Sequence, residues 1–259
     1  MSNVKIYVAT HKRDDNLLKI PYSYYIPIHC GKEIYKEENT GEFLPKLGDN
    51  TGDNISVKNP NYCELTAMYW IWKNDDSQPN DIVGLNHYRR YFSEEFKEDS
   101  EILTRETIQK WLEDYDFLVN GCSTAEDYTI SDEESVYRAY ENCHVINDLD
   151  IALEAIELYY PLLYDIINHE IKHSGAMCLC NMLITRKKYF DEYCEFLFTV
   201  MAYVESKINL NDEAHEGYNA RVFGFLGERL FRPWLKATGY SGRPAPVLNW
   251  EVYSGYKWN

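Results

Sequence analysis

Asp81-Ile-Val-Gly-Leu-Asn-His-Tyr-Arg-Arg-Tyr-Phe92 is the stretch whose reading decides the fold. Ile82, Val83 and Leu85 form the apolar core of a strand, and the chain runs from them straight into Asn86, His87, Tyr88, Arg89 and Arg90. A buried strand that delivers two guanidiniums, an imidazole and a phenol at its carboxyl end aims cations at an anionic ligand. The plain alternative is an edge strand with solvated arginines. The density of cationic and hydrogen-bonding aromatic groups after Gly84 favours the ligand reading.

Upstream, Val4-Lys-Ile-Tyr-Val-Ala9 is a β-rich run followed at once by Thr10-His-Lys-Arg-Asp-Asp15. A first strand ending in a polar loop brings Thr10 and His11 toward the same ligand, with an ordinary loop role for His11 as the alternative. Tyr24 to His29 predicts a second strand, and Pro27 suits an edge. From Gly31 to Asn54 the breakers Gly41, Pro45, Gly48 and Gly52 predict a long loop. Its Asp49 to Asn54 segment lacks the twelve-residue pattern of a calcium loop. After Asn59-Pro60, residues Asn61 to Lys73 are apolar nearly all round and predict one buried helix. Glu64 then shares a face with Met68 and Ile71 and needs a partner, for which Arg89 or Arg90 is the candidate. Tyr62, Tyr69 and Trp70 either close the core or stack on a base or sugar.

Downstream, Thr104 to Asp114 has helical spacing with Thr104 as N-cap, and Tyr115 to Gly121 is another strand, so strand, helix and strand alternate as in a layered α/β fold. Residues 122 to 143 are expected to form a loop with a short helix. A helix with apolar positions Leu149, Leu153, Ile156 and Tyr160 follows, with Asp148 as its cap and His144 just before it, able to donate to a phosphate or sugar hydroxyl. Pro161 ends or kinks that helix, and Leu162 to Ile171 forms another. Gly175 to Thr185 reads as a strand whose apolar run is broken by Asn181, an amide that must bond backbone or a sugar hydroxyl. Tyr189 to Ile208 is a long amphipathic helix. In a final helix from Tyr218 to Leu235, Arg221, Phe225 and Glu228 share one face; Arg221 and Glu228 form an internal ion pair, or Glu228 is a catalytic base. From Gly239 onward no periodic pattern is present. The expected organisation is one domain over 1–238 with a tail, 239–259, packed on it.

Composition narrows the function. The net charge is −16, from 26 Lys and Arg against 42 Asp and Glu, which disfavours nucleic acid and broad contact with anionic membranes. The 23 tyrosines suit sugar or base binding as well as a core, and with them the 81–92 stretch reads as the floor of a diphosphate-sugar site. Seven cysteines include no CxxC pair, and Cys178-Leu-Cys180 has the wrong spacing for a zinc knuckle, so reduced thiols are expected. The N-terminal residues lack a signal-peptide run and no segment has the ~18 apolar residues of a span. A soluble cytoplasmic protein is expected, with the inner face of the cell membrane as a place of peripheral contact.

Several of these stretches carry a resemblance. Lys5-Ile-Tyr-Val-Ala-Thr-His11, Asn59-Pro-Asn-Tyr-Cys-Glu-Leu-Thr66 with Tyr69-Trp-Ile-Trp-Lys-Asn74, the 81–92 stretch, Asn181-Met182 with Phe190-Asp-Glu-Tyr-Cys194, and Arg221-Val-Phe-Gly-Phe-Leu-Gly-Glu-Arg-Leu230 resemble domain of unknown function 4422. That family occurs in bacterial capsule, exopolysaccharide and O-antigen clusters, and some members are galactofuranosyltransferases. The resemblance implies a GT-A-like, Rossmann-like α/β sheet flanked by helices with a helical C-terminal part. It also implies a UDP-sugar donor, UDP-galactofuranose first, and a glycan acceptor, often linked to a polyprenyl diphosphate. Related sheets hold a divalent metal with Asp-x-Asp where this chain has Leu85-Asn-His-Tyr-Arg89. The expectation is therefore metal-independent transfer in which Arg89, Arg90 and His87 neutralise the leaving UDP, with a divalent cation as the alternative.

On this reading Thr10, His11, Tyr62, Glu64, Asn86, His87, Tyr88, Arg89 and Arg90 bind the donor; His144, Asn181 and Arg221 contact acceptor or sugar; Glu228 or Asp148 is the base. Inversion is what β-galactofuranosides require. The family also sits beside other catalytic domains; with 24 residues after Leu235, a partner glycosyltransferase is expected to be a separate chain. Two other readings stay open: a noncatalytic glycan- or nucleotide-binding module, and an interaction module of a polysaccharide-assembly complex.

Overall fold

The structure is a computed structural model, and it describes residues 2–11, 20–35, 45–95, 101–121, 124 and 134–249. The first run becomes β1 (Val4–Thr10), which lies between β2 (Tyr25–His29) and β3 (Ile82–His87), both parallel to it. Buried on both faces but for the partly buried Lys5, β1 carries the apolar run Ile6-Tyr-Val-Ala9 rather than an alternating pattern. As Pro27 predicts, β2 is the outer strand. Gly84 is required in β3 because a Cβ there would stand 2.7 Å from Ile184 and 2.9 Å from the Leu183 carbonyl oxygen.

Two further strands complete the middle of the sheet. β6 (Cys178–Arg186) runs antiparallel between β3 and β5 (Phe117–Gly121), so β3 and β5 are parallel but not adjacent. The helix between them, α3 (Arg105–Asp114), starts as predicted, with the Thr104 hydroxyl accepting from the Thr107 N–H. The described strands follow the order β2-β1-β3-β6-β5-β7, with β7 (Gly242–Pro244) on the far edge.

Three expectations are corrected by the backbone. The 81–92 stretch is a hairpin: β3 turns at Tyr88 and Arg89 into β4 (Arg90–Phe92), with His87 paired to Arg90. The predicted single helix after Asn59 is two, α1 (Asn59–Tyr62) and α2 (Leu65–Asn74), broken where Cys63 takes φ 52° and ψ −132°. The Asn59 amide spans this break, donating to the Cys63 carbonyl (2.7 Å) and to the Thr66 hydroxyl (3.0 Å). The stretch after Gly239 is not patternless in space: β7 pairs with β5, and β8 (Val247–Asn249) pairs with β4.

The larger core lies on the sheet face that carries Val83 and Leu85, under α2, α5 (Ile146–Tyr159), α7 (Lys187–Lys207) and α8 (Val222–Thr238). On α7 the buried Phe190, Cys194, Leu197, Met201 and Val204 keep the helical spacing that predicted it. α4 (Val136–Cys143) precedes α5, and Pro161 opens α6 (Pro161–His173) instead of kinking α5. The other face packs Ile82 with Ile108 and Leu112 of α3 and with Tyr24, Tyr25 and Phe92. Among the described residues no helix is long and apolar enough to cross a membrane. Within the predicted long loop, residues 36–44 lie outside the described residues, as do 96–100, 122–123, 125–133 and the end of the tail.

Candidate active site

A cavity of about 570 Å³ opens where the end of β1, the β3–β4 turn, the α1–α2 break, β6 and the start of α8 converge. Thr10 and His11 line it from β1, and His87, Tyr88, Arg89 and Arg90 line it from the hairpin. Cys63 and Glu64 come from the helix break, Cys180 from β6, and Arg221, Phe225 and Glu228 from the α8 end. Three arginines therefore meet two glutamates in one cavity of a chain whose net charge is −16. The excess positive charge is local, which suits an anionic ligand held against nearby carboxylates.

The lining groups are held by specific contacts. Tyr88 lies between the His11 ring (5.6 Å, edge-on) and the Arg89 guanidinium (4.7 Å from the ring centroid). His87 donates from Nε2 to the Cys180 carbonyl at 2.7 Å, because a carbonyl can only accept. Burial lowers the His87 pKa from 6.5, against the pull of Glu64, and Arg90 and Arg89 push the same way as burial. Burial and the two arginines thus favour the neutral imidazole of His87, which contributes a hydrogen-bonding ring beside the guanidiniums of Arg89 and Arg90. Glu228 accepts from the Cys180 N–H (2.7 Å) and from Arg229 (2.7 Å). Burial raises its pKa, opposed by Arg229 and the Cys180 N–H. Arg221 donates to Cys63 Sγ at 3.2 Å and lies over the rings of Phe225 (5.3 Å) and Tyr218 (5.7 Å).

Set beside known proteins, the sequence matches the family described as Domain of unknown function (DUF4422) over residues 5–239. The chain belongs to that family. No curated protein matches. A solved structure described as the apo form of the WbbM bifunctional glycosyltransferase is similar, with 29% identity and a TM-score of 0.76. The likeness covers 95% of this chain and 45% of that one, so the chain spans under half the length of its structural neighbour. The mixed α/β sheet flanked by helices is the fold class the sequence predicts.

In this DUF4422 chain the cavity gathers most, but not all, of the predicted site residues. Asn86 is fully buried, shares the sheet face of Ile82, and its amide has no hydrogen-bond partner among the described residues; it does not line the cavity. Tyr62 is a core residue, stacked on Phe223 at 4.1 Å with its hydroxyl on Glu205. His144 stands behind the lining, stacked on Phe225 at 4.0 Å, and burial lowers its pKa. Glu64 takes its hydrogen bond from Asn181 (2.7 Å) rather than from Arg89 or Arg90 of the expectation, and that bond, with one to the Gly224 carbonyl, occupies the Asn181 amide. Asn181 is therefore buried under the lining and not on it.

Asp148 is not the cap of α5, whose N-cap is Val145, and it does not line the cavity. It is buried against His215, with Nε2 3.0 and 3.1 Å from its two oxygens. The Asp49 carboxylate, in the calcium-like segment, accepts from the Gly31 and Lys32 N–H groups and the Ser56 hydroxyl.

Cys63, Cys180 and Tyr218 were not singled out from sequence as site residues, yet all line the cavity. Neither Cys63 nor Cys180 carries a breaker signal, whereas Tyr218 lies three residues before Arg221 in the same aromatic and cationic stretch. Among the described residues no cluster of three or more His, Cys, Asp or Glu side chains is arranged to hold a metal ion. At the Leu85–Arg89 position Asn86 faces the other side of the sheet and His87 Nε2 bonds the Cys180 carbonyl.

Proposed function

We propose that the cavity is the reaction site of a glycosyltransferase of polysaccharide synthesis, moving a hexose from a UDP-sugar to a glycan acceptor with inversion. Galactofuranose from UDP-galactofuranose is the donor of this reading. The observation that carries it is the gathering of Arg89, Arg90 and Arg221 with Glu64 and Glu228 in one cavity of an acidic chain. A binding or interaction module has no need of carboxylates beside its arginines; transfer needs both. Membership of DUF4422 and likeness to a structure described as a bifunctional glycosyltransferase support the same reading.

In this mechanism Arg89 and Arg90 hold the diphosphate and stabilise the charge that leaves with UDP as the bond from C1 to the phosphate oxygen breaks. The acceptor hydroxyl forms the new C1–O bond from the opposite face, and its proton passes to Glu228. Glu228 is the candidate base because, unlike Asp148, it lines the cavity, and burial strengthens it as a base by raising its pKa. Arg221, with Phe225 and Tyr218, supplies a cationic and aromatic wall for the acceptor. A growing glycan carried on a polyprenyl diphosphate is the acceptor class, which would bring the protein to the inner face of the membrane beside other glycosyltransferases. The arginines take over the neutralisation that a divalent cation performs in related sheets.

The test is UDP release from UDP-galactofuranose, UDP-galactopyranose and UDP-glucose with a lipid-linked glycan fraction as acceptor, with and without EDTA. Release from the furanose donor alone, unchanged by EDTA, is expected. Release from none of the three refutes the catalytic reading. Activity lost in EDTA and restored by Mn²⁺ refutes its metal-independent part.

A further inference from the structure

Cys63, Cys180 and Asn181 are the non-glycine residues with left-handed φ among the described residues, at 52°, 64° and 48°. Side chains resist this conformation, which persists only where surrounding contacts impose it. All three are at the cavity: Cys63 and Cys180 line it, and Asn181 holds Glu64 of its lining. Two of them are consecutive in the middle of β6, where the ladder to β5 loses register between Val119 and Gly121. A local bulge of this kind re-aims backbone groups that a regular ladder would consume.

Three of the groups at this dipeptide reach candidate reaction residues. The Cys180 N–H donates to Glu228, and the Cys180 carbonyl accepts the hydrogen bond from His87 Nε2–H. The Asn181 amide goes to Glu64, and its buried Oδ1 lies where a Cβ on Gly227 would come within 2.5 Å, so glycine in α8 makes room for it. We propose that the left-handed Cys180–Asn181 pair is the positioning element of the site, orienting His87, Glu228 and Glu64 together through backbone groups and one amide. The thiol of Cys180 has no part in this, and Asn181 acts through Glu64 rather than by touching sugar. The proposal rests on the glycosyltransferase reading for its kinetic consequences only; the geometry of His87 is open to direct measurement.

The charges around His87 and Glu228 are those of the cavity together with Arg229, which does not line it. His87 faces Glu64, Arg89 and Arg90; Glu228 faces Arg229, Arg221 and Glu64. A shift of the dipeptide therefore changes the hydrogen bonds of His87 and Glu228 while leaving these neighbours in place.

Histidine-selective ¹⁵N NMR on the full chain, with the His87 signal assigned through His87→Gln, tests the geometry, and the pH profile of UDP release tests its use. Wild type is expected to hold His87 neutral with the proton on Nε2 at pH 7.5. Cys180→Gly, which favours left-handed φ and keeps both backbone bonds, retains that tautomer and the shape of the pH profile. Cys180→Val, whose branched side chain opposes the conformation, loses both. Asn181→Gly keeps the backbone and removes the amide; kcat falls by roughly 100-fold with KM for the donor little changed, and the acid limb moves. Glycine variants tolerate φ > 0, so they keep the test open if Cys180→Val does not fold. His87 protonated on Nδ1 or cationic in wild type, or Asn181→Gly with wild-type kcat and pH profile, overturns the proposal. If wild type releases no UDP from any donor, the catalytic reading fails while the His87 tautomer in wild type and Cys180→Gly still decides the positioning claim.

Discussion

Asp148 and Glu228 are both carboxylates on helices, and burial raises the pKa of each. Their surroundings separate them. Asp148 is 1% exposed, in the first turn of α5, and both of its oxygens face His215. The other ring nitrogen of His215 faces the Asn209 carbonyl, so the pair is closed by the protein itself. Glu228 is also held internally, by Cys180 and Arg229, but it lines a cavity that contains Arg89, Arg90 and Arg221. A perturbed carboxylate is thus a candidate for chemistry only where it shares open space with groups that bind substrate. Closed off with its partner, the same perturbation is architecture.

The strongest way to break this contrast is to exchange charge for amide at each position. Glu228→Gln keeps the shape and removes the base, and kcat for transfer falls by roughly 10²–10⁴-fold. If Asp148→Asn instead carries that loss per folded molecule, the assignment is reversed. Asp148→Ala leaves His215 without its carboxylate and costs about 2–3 kcal/mol in urea unfolding, while kcat per folded molecule stays at the wild-type value. An Asp148→Ala protein as stable as wild type would show that the pair does not hold the fold.

A smaller effect sharpens the Glu228 side. A general base works deprotonated, so transfer rises with pH through its pKa, and burial places that rise above the ordinary value of 4.5. Initial rates across pH 4–8 should show an acid limb that disappears in Glu228→Gln. Its persistence would assign the limb to another group, with Glu64 the first to examine.

The smallest effect concerns the cavity thiols. Burial pushes the pKa values of Cys63 and Cys180 up to about 11, so little thiolate exists at neutral pH. Iodoacetamide at pH 7.5 is expected to leave activity nearly intact over an hour. Rapid inactivation protected by UDP would mean that one of these thiols is more exposed and more acidic than its surroundings imply.

Sequence reading reached the regular parts of the molecule because their periodicity is long enough to see. The mostly apolar β1, the Thr104 cap of α3 and the spaced apolar face of α7 each encode their element locally. Of the residues it singled out, Thr10, His11, Glu64, His87, Tyr88, Arg89, Arg90, Arg221 and Glu228 are brought by the fold to one cavity. What it missed depends on contacts distant in sequence. Tyr88-Arg89 is not a composition that announces a two-residue turn, so the hairpin reads as one strand. Cys63 breaks a helix with neither glycine nor proline, held by the Asn59 amide and imposed by tertiary contacts. β7 and β8 are three residues each, too short for any period. Asp148 resembled a cap because its real partner, His215, lies 67 residues away.

The central claim is that the arginines of the β3–β4 hairpin make the cavity a nucleoside-diphosphate site. Calorimetric titration of UDP into wild type and Arg89→Ala tests it without needing the acceptor. One UDP per chain in wild type, with affinity reduced by roughly 10-fold or more in a folded Arg89→Ala protein, is the predicted result. Equal affinity in the two proteins, or no binding of UDP to wild type, would contradict it.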